Sequence, residues 1–271
     1  MADTATNAQM KSYFEEITHT ANDATMPGSL YEQQLINKAY MKTAYKYDWQ
    51  QTLKRWFDPL LANVDRYALQ SDFRKFKFIY SQGSKLTKTE LEFLNRGFGE
   101  YAVAPDSLEY MLSTFPSLTT PTFNIQGSVS AGASVVVTLD TVTGISAGDE
   151  IFIADTTLSE FTKVQSVDSV GVTITIKLAN SHSAKPLYRT ADGNYFQYQK
   201  TITPLSDSGD VPVLPGETHL VIPHYAASLY YSDIQEEDEA ASHLGIWTRD
   251  IDEAWFAFDK LTAGESGQFT L

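Results

Sequence analysis

The feature that most constrains this fold is a change of sequence periodicity in the middle of the chain. Residues 142–184 read "VTGISAGDEIFIADTTLSEFTKVQSVDSVGVTITIKLANSHSA", with short apolar and β-branched runs between turn residues. Such runs predict strands. The segments before and after repeat their apolar residues at helical spacing. The sequence therefore predicts an α+β fold, in which a small all-β domain of barrel or sandwich type is inserted into a helical body.

The inserted domain is predicted to span residues 121–190. It follows a linker-like segment, "SLTTPTFNIQGS", that contains a proline and a glycine. Its size of about 65 residues is near the lower limit for an independent core. The predicted strands are 133–139, 150–154, 160–167, 172–178 and 187–189.

The helical body is predicted to comprise residues 1–120 and 191–271, with a short β-hairpin or sheet. Within it, 73–81 and 194–203 both alternate apolar and polar residues. We expect these two segments to pair and so to bring both ends of the insert back to the body. The remaining patterns favour helices at 10–21, 36–57, 87–98, 108–115, 222–230 and 247–258.

Charge is unevenly distributed along the chain, whose net charge is -14. Residues 37–100 hold 12 Lys and Arg against 7 Asp and Glu, whereas residues 201–271 hold 2 against 13. An acidic protein repels phosphate backbones, so sequence-specific DNA binding is not expected. Two readings stay open: the charges are solvated surface, or identical copies pack basic flank to acidic flank in a head-to-tail ring.

Several classes are excluded by what the sequence lacks. The absence of cysteine excludes a disulfide scaffold, a cysteine-based zinc site and a thiol nucleophile, and it fits synthesis in a reducing cytoplasm. The first residues, "MADTATNAQMKSYFEEI", show neither the basic nor the apolar region of a signal peptide. No apolar run approaches the roughly 20 residues of a membrane span, so no membrane contact is expected.

The carboxylates of the insert do not form a catalytic pattern. Asp149 and Glu150 are adjacent on a predicted strand and so face opposite sides, which prevents them from sharing a proton or a metal. Asp155 and Glu160 bracket a loop, "TTLS", that could hold a cation, although calcium loops have denser oxygen spacing. His182 lies in the polar sequence "NSHSA", which favours a surface turn.

The remaining histidines also lack a motif. His219 and His224 are five residues apart, which differs from the spacing of a metalloprotease helix, and His19 and His243 stand alone. The sequence contains no nucleophile elbow, phosphate loop or dinucleotide fingerprint. We therefore predict no catalytic residue, no metal and no cofactor, and expect a protein that is not an enzyme.

Several segments resemble the head-to-tail adaptor, or connector, proteins of tailed bacteriophages. "LINKAYMKTAYKYDWQQTLKRW" is similar to their opening helix, and "DFRKFKFIY" to the strand that follows it. "DVPVLPGETHLVIPHYAASLYY", residues 210–231, resembles the family's proline-bearing loop and its Tyr-, Ala- and Leu-rich helix. "EAASHL" and "DEAWFAFDKL" continue the likeness. The insert resembles small β modules of virion proteins, although part of the family lacks so large an insert.

The resemblance implies a ring of identical subunits, commonly a dodecamer. Such a ring lies in the virion neck below the portal protein, bridges it to the tail or other neck proteins, and leaves a channel through which DNA passes. The matching positions read as packing or contact residues, together with an aromatic stripe near the C-terminus: Leu214, Pro215, Tyr225, Ala226, Leu229, Tyr230, Trp247, Ile251, Trp255 and Phe258. Phe269 and Leu271 end a polar segment that we interpret as a docking arm.

Two alternatives stay open at this point. A tail-tube, baseplate or fibre-attachment component would use the β domain as its main oligomer contact. An enzyme that acts on glycans or the cell wall would use two carboxylates distant in sequence, and it would require a cleft that contains a glutamate of raised pKa.

Overall fold

The computed structural model describes residues 4–20, 28–90, 94, 99–104, 108–113, 116, 119–155 and 157–266. The chain forms two compact units. One contains Met1–Leu53 and Lys200–Leu271, and the other contains Lys54–Gln199. We call them the helical unit and the β unit, because the α-helices of the described residues all lie in the first and nearly all strand residues in the second.

Among the described residues, the helical unit contains four α-helices: α1 (Asn7–Thr18), α2 (Gly28–Lys46), α3 (Ile222–Asp233) and α4 (Glu237–Ser266). A capping box starts α1, since Thr6 and Gln9 satisfy each other's backbone N–H groups. Pro223 lies in the first turn of α3, where its missing N–H costs no hydrogen bond. Three acidic residues occupy the first turn of α4, where the helix dipole favours negative charge.

Both ends of the chain contribute to one hydrophobic core in the helical unit. The fully buried Met10 and Phe14 of α1 pack with Ile36 and Tyr40 of α2 and with Ile222 of α3. Burial of this apolar stripe, rather than helix propensity, supplies most of the stability of such helices. The helical unit therefore cannot form from the N-terminal segment alone.

In the part of the chain that the structure describes, the β unit contains sixteen strands, and the first and last of them extend one residue beyond its boundary. Their bounds are β1 (Leu53–Asp58), β2 (Arg66–Ala68), β3 (Phe73–Ser81), β4 (Ser84–Lys85), β5 (Thr87–Lys88), β6 (Glu100–Ala104), β7 (Glu109–Leu112), β8 (Phe123–Asn124), β9 (Ser128–Val129), β10 (Gly132–Thr138), β11 (Glu150–Ile153), β12 (Glu160–Asp168), β13 (Thr173–Leu178), β14 (His182–Ser183), β15 (Pro186–Arg189) and β16 (Asn194–Lys200).

These strands form four sheets. The orders are β1-β16-β3-β4, β2-β7-β6-β5, β10-β13-β12-β11-β15-β8 and the pair β14-β9. Strands β3 and β16 are neighbours, which confirms the predicted pairing of 73–81 with 194–203. The five strands predicted for the insert are present as β10, β11, β12, β13 and β15.

Two hydrophobic clusters stabilise the β unit. One draws all its buried members from residues 123–187, and the other combines residues 60–112 with Phe196 and Tyr198. Strand β11 contacts two environments, because successive side chains of a strand point to opposite faces. Ile151 and Ile153 belong to the first cluster, whereas Phe152 packs against Trp56 and Phe57.

The predicted helix at 36–57 is correct only as far as Lys46, the one at 108–115 is wrong, and most of the one at 87–98 lies outside the described residues. Helix α2 ends at Lys46, and the segment predicted to continue it to residue 57 forms a short 3₁₀ turn and then β1. The predicted capping box at Thr87 is part of β5, and "LEYMLSTF" contains β7. In the first and last of these segments, pairing with a strand distant in sequence overrides the local pattern. Strand β1 pairs with β16, and β7 pairs with β2.

The α+β class predicted from the sequence is confirmed, but the two compact units divide at different residues from the predicted domains. The observed boundaries are 53/54 and 199/200, whereas we predicted 120/121 and 190/191. Residues 54–120, assigned above to the helical body, contribute strands β2 to β7 to the β unit because their sheets pack around the aromatic cluster of Tyr67, Tyr110 and Phe196. The predicted insert nevertheless corresponds closely to the cluster within residues 123–187.

Candidate functional site

The residues predicted to pack or make contacts lie along α3 and α4 and in the loop before them. Leu214, Ala226, Trp247 and Ile251 are buried in the core of the helical unit. Tyr225, Leu229, Tyr230 and Trp255 are partly buried against that core, and Pro215 is half-buried. The side chain of Phe258, and Phe269 and Leu271 of the predicted docking arm, lie outside the described residues.

A seam of aromatic and charged groups joins the end of α2 to α4. The Trp247 indole donates a hydrogen bond of 2.9 Å to the Thr43 hydroxyl. Lys46 forms an ion pair with Asp252, and its ammonium lies 4.6 Å from the centroid of the Trp247 ring. Ion pairing of this kind holds the pKa of Asp252 below its usual value.

Trp255 extends this α2–α4 seam toward the C-terminus. Its ring stacks on Tyr47 with centroids 4.8 Å apart, and it meets the Trp49 ring edge-on at 5.2 Å. The Tyr47 hydroxyl donates to Asp252 over 2.7 Å. Burial and this hydrogen bond raise the pKa of Tyr47 to about 12. The seam therefore combines aromatic contacts with an ion pair, and these contacts fix the direction of α4.

Two histidines face each other between α3 and α4. The Nδ1 atoms of His224 and His243 are 3.0 Å apart, and the Tyr13 hydroxyl lies 3.3 Å from Nε2 of His224. Burial lowers the pKa of both imidazoles, and the charge of His243 lowers that of His224 further. The pair is thus held neutral, which suits one ring donating to the other. This pair could not be predicted from the sequence, because the two residues lie on different helices.

His219 is fully buried beside the N-terminal segment. Its Nδ1 accepts a hydrogen bond from the Ala5 N–H at 3.1 Å, and its Nε2 lies 3.0 Å from the Leu214 carbonyl. Burial lowers the pKa of this imidazole. Since both ring nitrogens bond to the backbone, His219 joins the loop before α3 to the start of the chain.

The adjacent carboxylates Asp149 and Glu150 have separate partners. Glu150 binds the Arg55 guanidinium at 2.6 Å, and Asp149 lies 3.6 Å from that of Arg189. The Arg55 guanidinium also lies over the Phe161 ring at 4.4 Å. The two carboxylates do not cooperate at one site, as their neighbouring positions in the sequence predicted.

His182 is the residue that sequence reasoning placed least well. The predicted surface turn is wrong, because the imidazole is fully buried between Asp155 and Glu160. Its Nε2 lies 2.6 Å from Glu160 Oε1, and its Nδ1 lies 3.5 Å from Asp155 Oδ2. Glu160 also accepts hydrogen bonds from the backbone N–H groups of Ala179 and Asn180.

Asp155 and Glu160 therefore hold a histidine in place of the loop cation considered above. Backbone hydrogen bonding from Thr157, aided by His182 and Lys185, lowers the pKa of Asp155 to about 2. The bracketing residues were visible in the sequence, but His182 lies 22 residues beyond Glu160 and only the sheet brings it back. The cluster ties three loops of the β unit together.

Asp58 is a buried carboxylate inside the β unit. It accepts hydrogen bonds from the Tyr110 hydroxyl at 2.8 Å and from the Trp56 indole at 3.0 Å. Burial raises its pKa to about 6, against the opposing effect of these two bonds. Asp58 therefore has the raised pKa of a catalytic acid, but two aromatic donors already occupy its carboxylate.

The acidic residues Glu236, Glu237, Asp238 and Glu239 are all exposed. Among the described residues, no group of three or more histidines and carboxylates has the geometry of a metal site. Within the same residues, no helix combines the length and the apolar character needed to cross a bilayer.

Comparison with known proteins gives little further guidance. No protein-family model matches the chain, and no curated protein matches its sequence. Among solved structures, one match is "VP16-VP17 complex, a complex of the two major capsid proteins of bacteriophage P23-77", with 12% identity and a TM-score of 0.15 over 55% of this chain. The chain covers 62% of the length of that protein. At this TM-score, the likeness carries no argument about fold or function.

Proposed function

We propose that this chain is a structural protein of a tailed-bacteriophage virion, and within that class a head-to-tail adaptor. In this proposal identical copies form a ring, of dodecameric size by the resemblance, that lies in the neck. The ring joins the portal protein to the tail or other neck proteins. The protein is made in the cytoplasm of the bacterial host, acts without a cofactor and is not an enzyme.

The observation that carries the proposal is the position of the adaptor-like segment, residues 210–231, in the helical unit. Its matching positions Leu214 and Ala226 are buried, and Tyr225, Leu229 and Tyr230 pack around them. These are the positions that the resemblance marks as packing residues. The segment also makes backbone hydrogen bonds to α1, from the N–H of Asn7 to the carbonyl of Asp210.

The α2–α4 seam supports the same proposal. A ring subunit must present its contact surfaces in a fixed direction, since small errors in rotation leave a ring open. Trp247, Asp252 and Trp255 fix α4 against the end of α2 through stacking, hydrogen bonding and an ion pair. A helix fixed in this way can present its exposed acidic first turn at the same place in every copy.

The β unit has its own hydrophobic clusters, so it can carry a second set of contacts. In our proposal it reaches the portal, the tail or a fibre. The exposed acidic residues at the start of α4 suit a channel wall that does not retain DNA, because like charges repel the phosphates. DNA then passes through without sequence-specific contact.

The polar clusters of the β unit favour a structural role over catalysis. His182, Asp155 and Glu160 use their hydrogen bonds on each other and on the backbone, and Asp58 is enclosed by aromatic side chains. A general acid must reach its substrate directly or through one water. The imidazole of His182, whose side chain is 0% exposed, lacks that access.

Electron microscopy of phage particles bound to Fab fragments against this chain tests the proposal. The adaptor reading predicts that the label lies in the neck, between capsid and tail tube. Label along the tail tube, at the baseplate or at the fibres would instead support the second virion reading. Particles without label, from a lysate in which the soluble chain reacts with the Fab, would contradict both.

A further inference from the structure

The helical unit contains a polar pocket that neither the resemblance nor the ring proposal uses. It lies between α1, the start of α2 and the loop near residue 206, and it has a volume of about 320 Å³. Its lining includes Lys11 and Glu15 of α1, Glu32 and Gln33 of α2, and Ser206. Three separated segments of the chain thus converge on one cavity.

Glu32 is the unusual residue of this pocket. Its side chain belongs to a residue only 6% exposed, and its Oε1 atom is buried without a hydrogen-bond partner. A buried carboxylate oxygen that lacks a donor is costly, and native proteins rarely leave one unpaired without a reason. Burial raises the pKa of Glu32, and the negative charge of Glu15 acts in the same direction.

The other polar groups of the lining are already occupied. The Asn7 amide donates to Gln33 Oε1 at 2.9 Å, and the Gln33 amide donates to the Leu205 carbonyl at 3.1 Å. The Ser206 hydroxyl donates to Asp210. Lys11 lowers the pKa of Glu32 through its charge, yet Oε1 still has no hydrogen bond from it. The unmet requirement of the pocket is therefore a donor for a carboxylate.

The lining excludes most ligand classes. An anion would meet two glutamates against one lysine, and an apolar ligand would find Ala8 as its only apolar side chain. A sugar ring usually packs on an aromatic side chain, and the lining has none. A metal ion would require a denser set of ligands than the described residues provide. A compact cation with several N–H donors fits what remains.

We propose that this pocket binds a primary alkylammonium group, with the carboxylates of Glu32 and Glu15 as its acceptors. An ammonium has three donors in a small volume, so it can bond to both carboxylates and restore the charge balance. Its source is either a lysine side chain of another copy of the chain or a free alkylamine. Only the first source rests on the proposed ring.

Isothermal titration of the full chain with n-butylammonium chloride at neutral pH tests the proposal, with tetramethylammonium chloride as the matched probe that has the same charge but no N–H donor. We expect saturable binding of butylammonium alone. The variant Glu32→Gln keeps the shape of the side chain and should weaken binding by about tenfold or more, because a charged hydrogen bond is lost. Glu237→Gln, at an exposed glutamate, should leave binding unchanged.

Binding of both probes with equal affinity, or equal binding by wild type and Glu32→Gln, would overturn the proposal. Absence of saturable butylammonium binding would do the same. Folding of the variant is checked by its unfolding midpoint, which should equal or exceed that of the wild type because an unpaired buried charge is removed. Should that variant unfold, Glu15→Gln provides the same comparison.

The two sources are separated by native mass spectrometry before and after reductive methylation of all lysines. If a lysine of a second copy is the ligand, methylation or added butylammonium should reduce self-association of the wild type. If self-association is unchanged while butylammonium still binds, the ligand is a free amine. In that case amine binding by the pocket does not depend on the ring. Failure of the pocket proposal and failure of the ring proposal can therefore be told apart.

Discussion

The helical unit and the β unit bury their titratable groups in different ways. In the helical unit, His219, His224 and His243 have lowered pKa values and are held neutral against the backbone or each other. In the β unit, the carboxylates of Asp58 and Glu160 each accept at least two hydrogen bonds. The comparison predicts that the histidines of the helical unit and Asp58 of the β unit respond to acid in opposite directions.

The two units also differ in how local their cores are. The helical core joins residues near both chain ends, such as Phe14 and Trp247. One cluster of the β unit forms entirely within residues 123–187. Contacts between distant segments require closure of a long loop, which costs conformational entropy. The helical core therefore depends more strongly on a few contacts between residues far apart in the sequence.

The largest expected effect is that of Trp247→Ala. This change removes a buried indole, its contact with Lys46 and its hydrogen bond to Thr43, and should destabilise the helical unit by about 3–5 kcal/mol. The measurement is urea unfolding followed by the helical circular dichroism signal. The matched change in the β unit is Phe196→Ala, which should lower the stability of that unit by a similar amount.

The difference between these two variants sharpens the comparison. Trp247→Ala should shift the helical transition and leave near-ultraviolet signals of the β-unit tyrosines at their original midpoint. Equal displacement of both transitions by either variant would contradict a division into two units with separate cores.

A smaller effect is expected for Glu160→Gln in the β unit. The amide retains one acceptor oxygen, but its NH₂ group then faces donors. The backbone N–H of Ala179 or Asn180, or the His182 ring, therefore loses its partner. The expected loss is about 1–3 kcal/mol, measured by thermal and urea unfolding. The control is Glu239→Gln on exposed α4, for which a change within about 0.5 kcal/mol is expected. Equal effects of the two changes would show that the His182 cluster does not stabilise the β unit.

The smallest effect is a pH dependence of opposite sign in the two units. The folded pKa values of His224 and His243 lie below the unfolded value, so folding is favoured above the unfolded pKa of about 6.5 and weakens as the pH falls below it. Asp58 has a folded pKa of about 6, above its ordinary value of 3.8, so the β unit gains stability as the pH falls through 6.

Unfolding measured between about pH 5 and pH 7 separates these contributions, because the carboxylates of lowered pKa stay charged in that range. Over this range the helical unit should lose stability as the pH falls, and the β unit should gain it. His243→Gln should flatten the profile of the helical unit, and Asp58→Asn that of the β unit. Unchanged profiles in both variants would contradict the assignment.

The sequence predicted the elements whose partners are near in the chain. Strands β11, β12 and β13 have short turns between them, so their alternation and glycines were sufficient. The helix predicted around Tyr110 was wrong because this segment forms β7, which pairs with β2, a strand that ends at Ala68. The prediction of a surface turn at His182 was wrong for a similar reason. Its polar neighbours indicate a turn, but its burial depends on contacts with Asp155 and Glu160 that only the folded chain provides.

Site residues follow the same rule. The stripe Trp247, Ile251 and Trp255 was predictable, because helical spacing places these residues on one face whatever that face contacts. The Glu32 pocket and the His224–His243 pair could not be found from the sequence. Each is formed by residues of separate helices whose relative position is set by the core of the helical unit.

Native mass spectrometry of the full chain, alone and with the cognate portal protein, tests the central claim most directly. The account predicts a closed ring of identical subunits, either spontaneously or on the portal, with a single dominant stoichiometry. A chain that stays monomeric under both conditions, at concentrations where both units are folded, would contradict it.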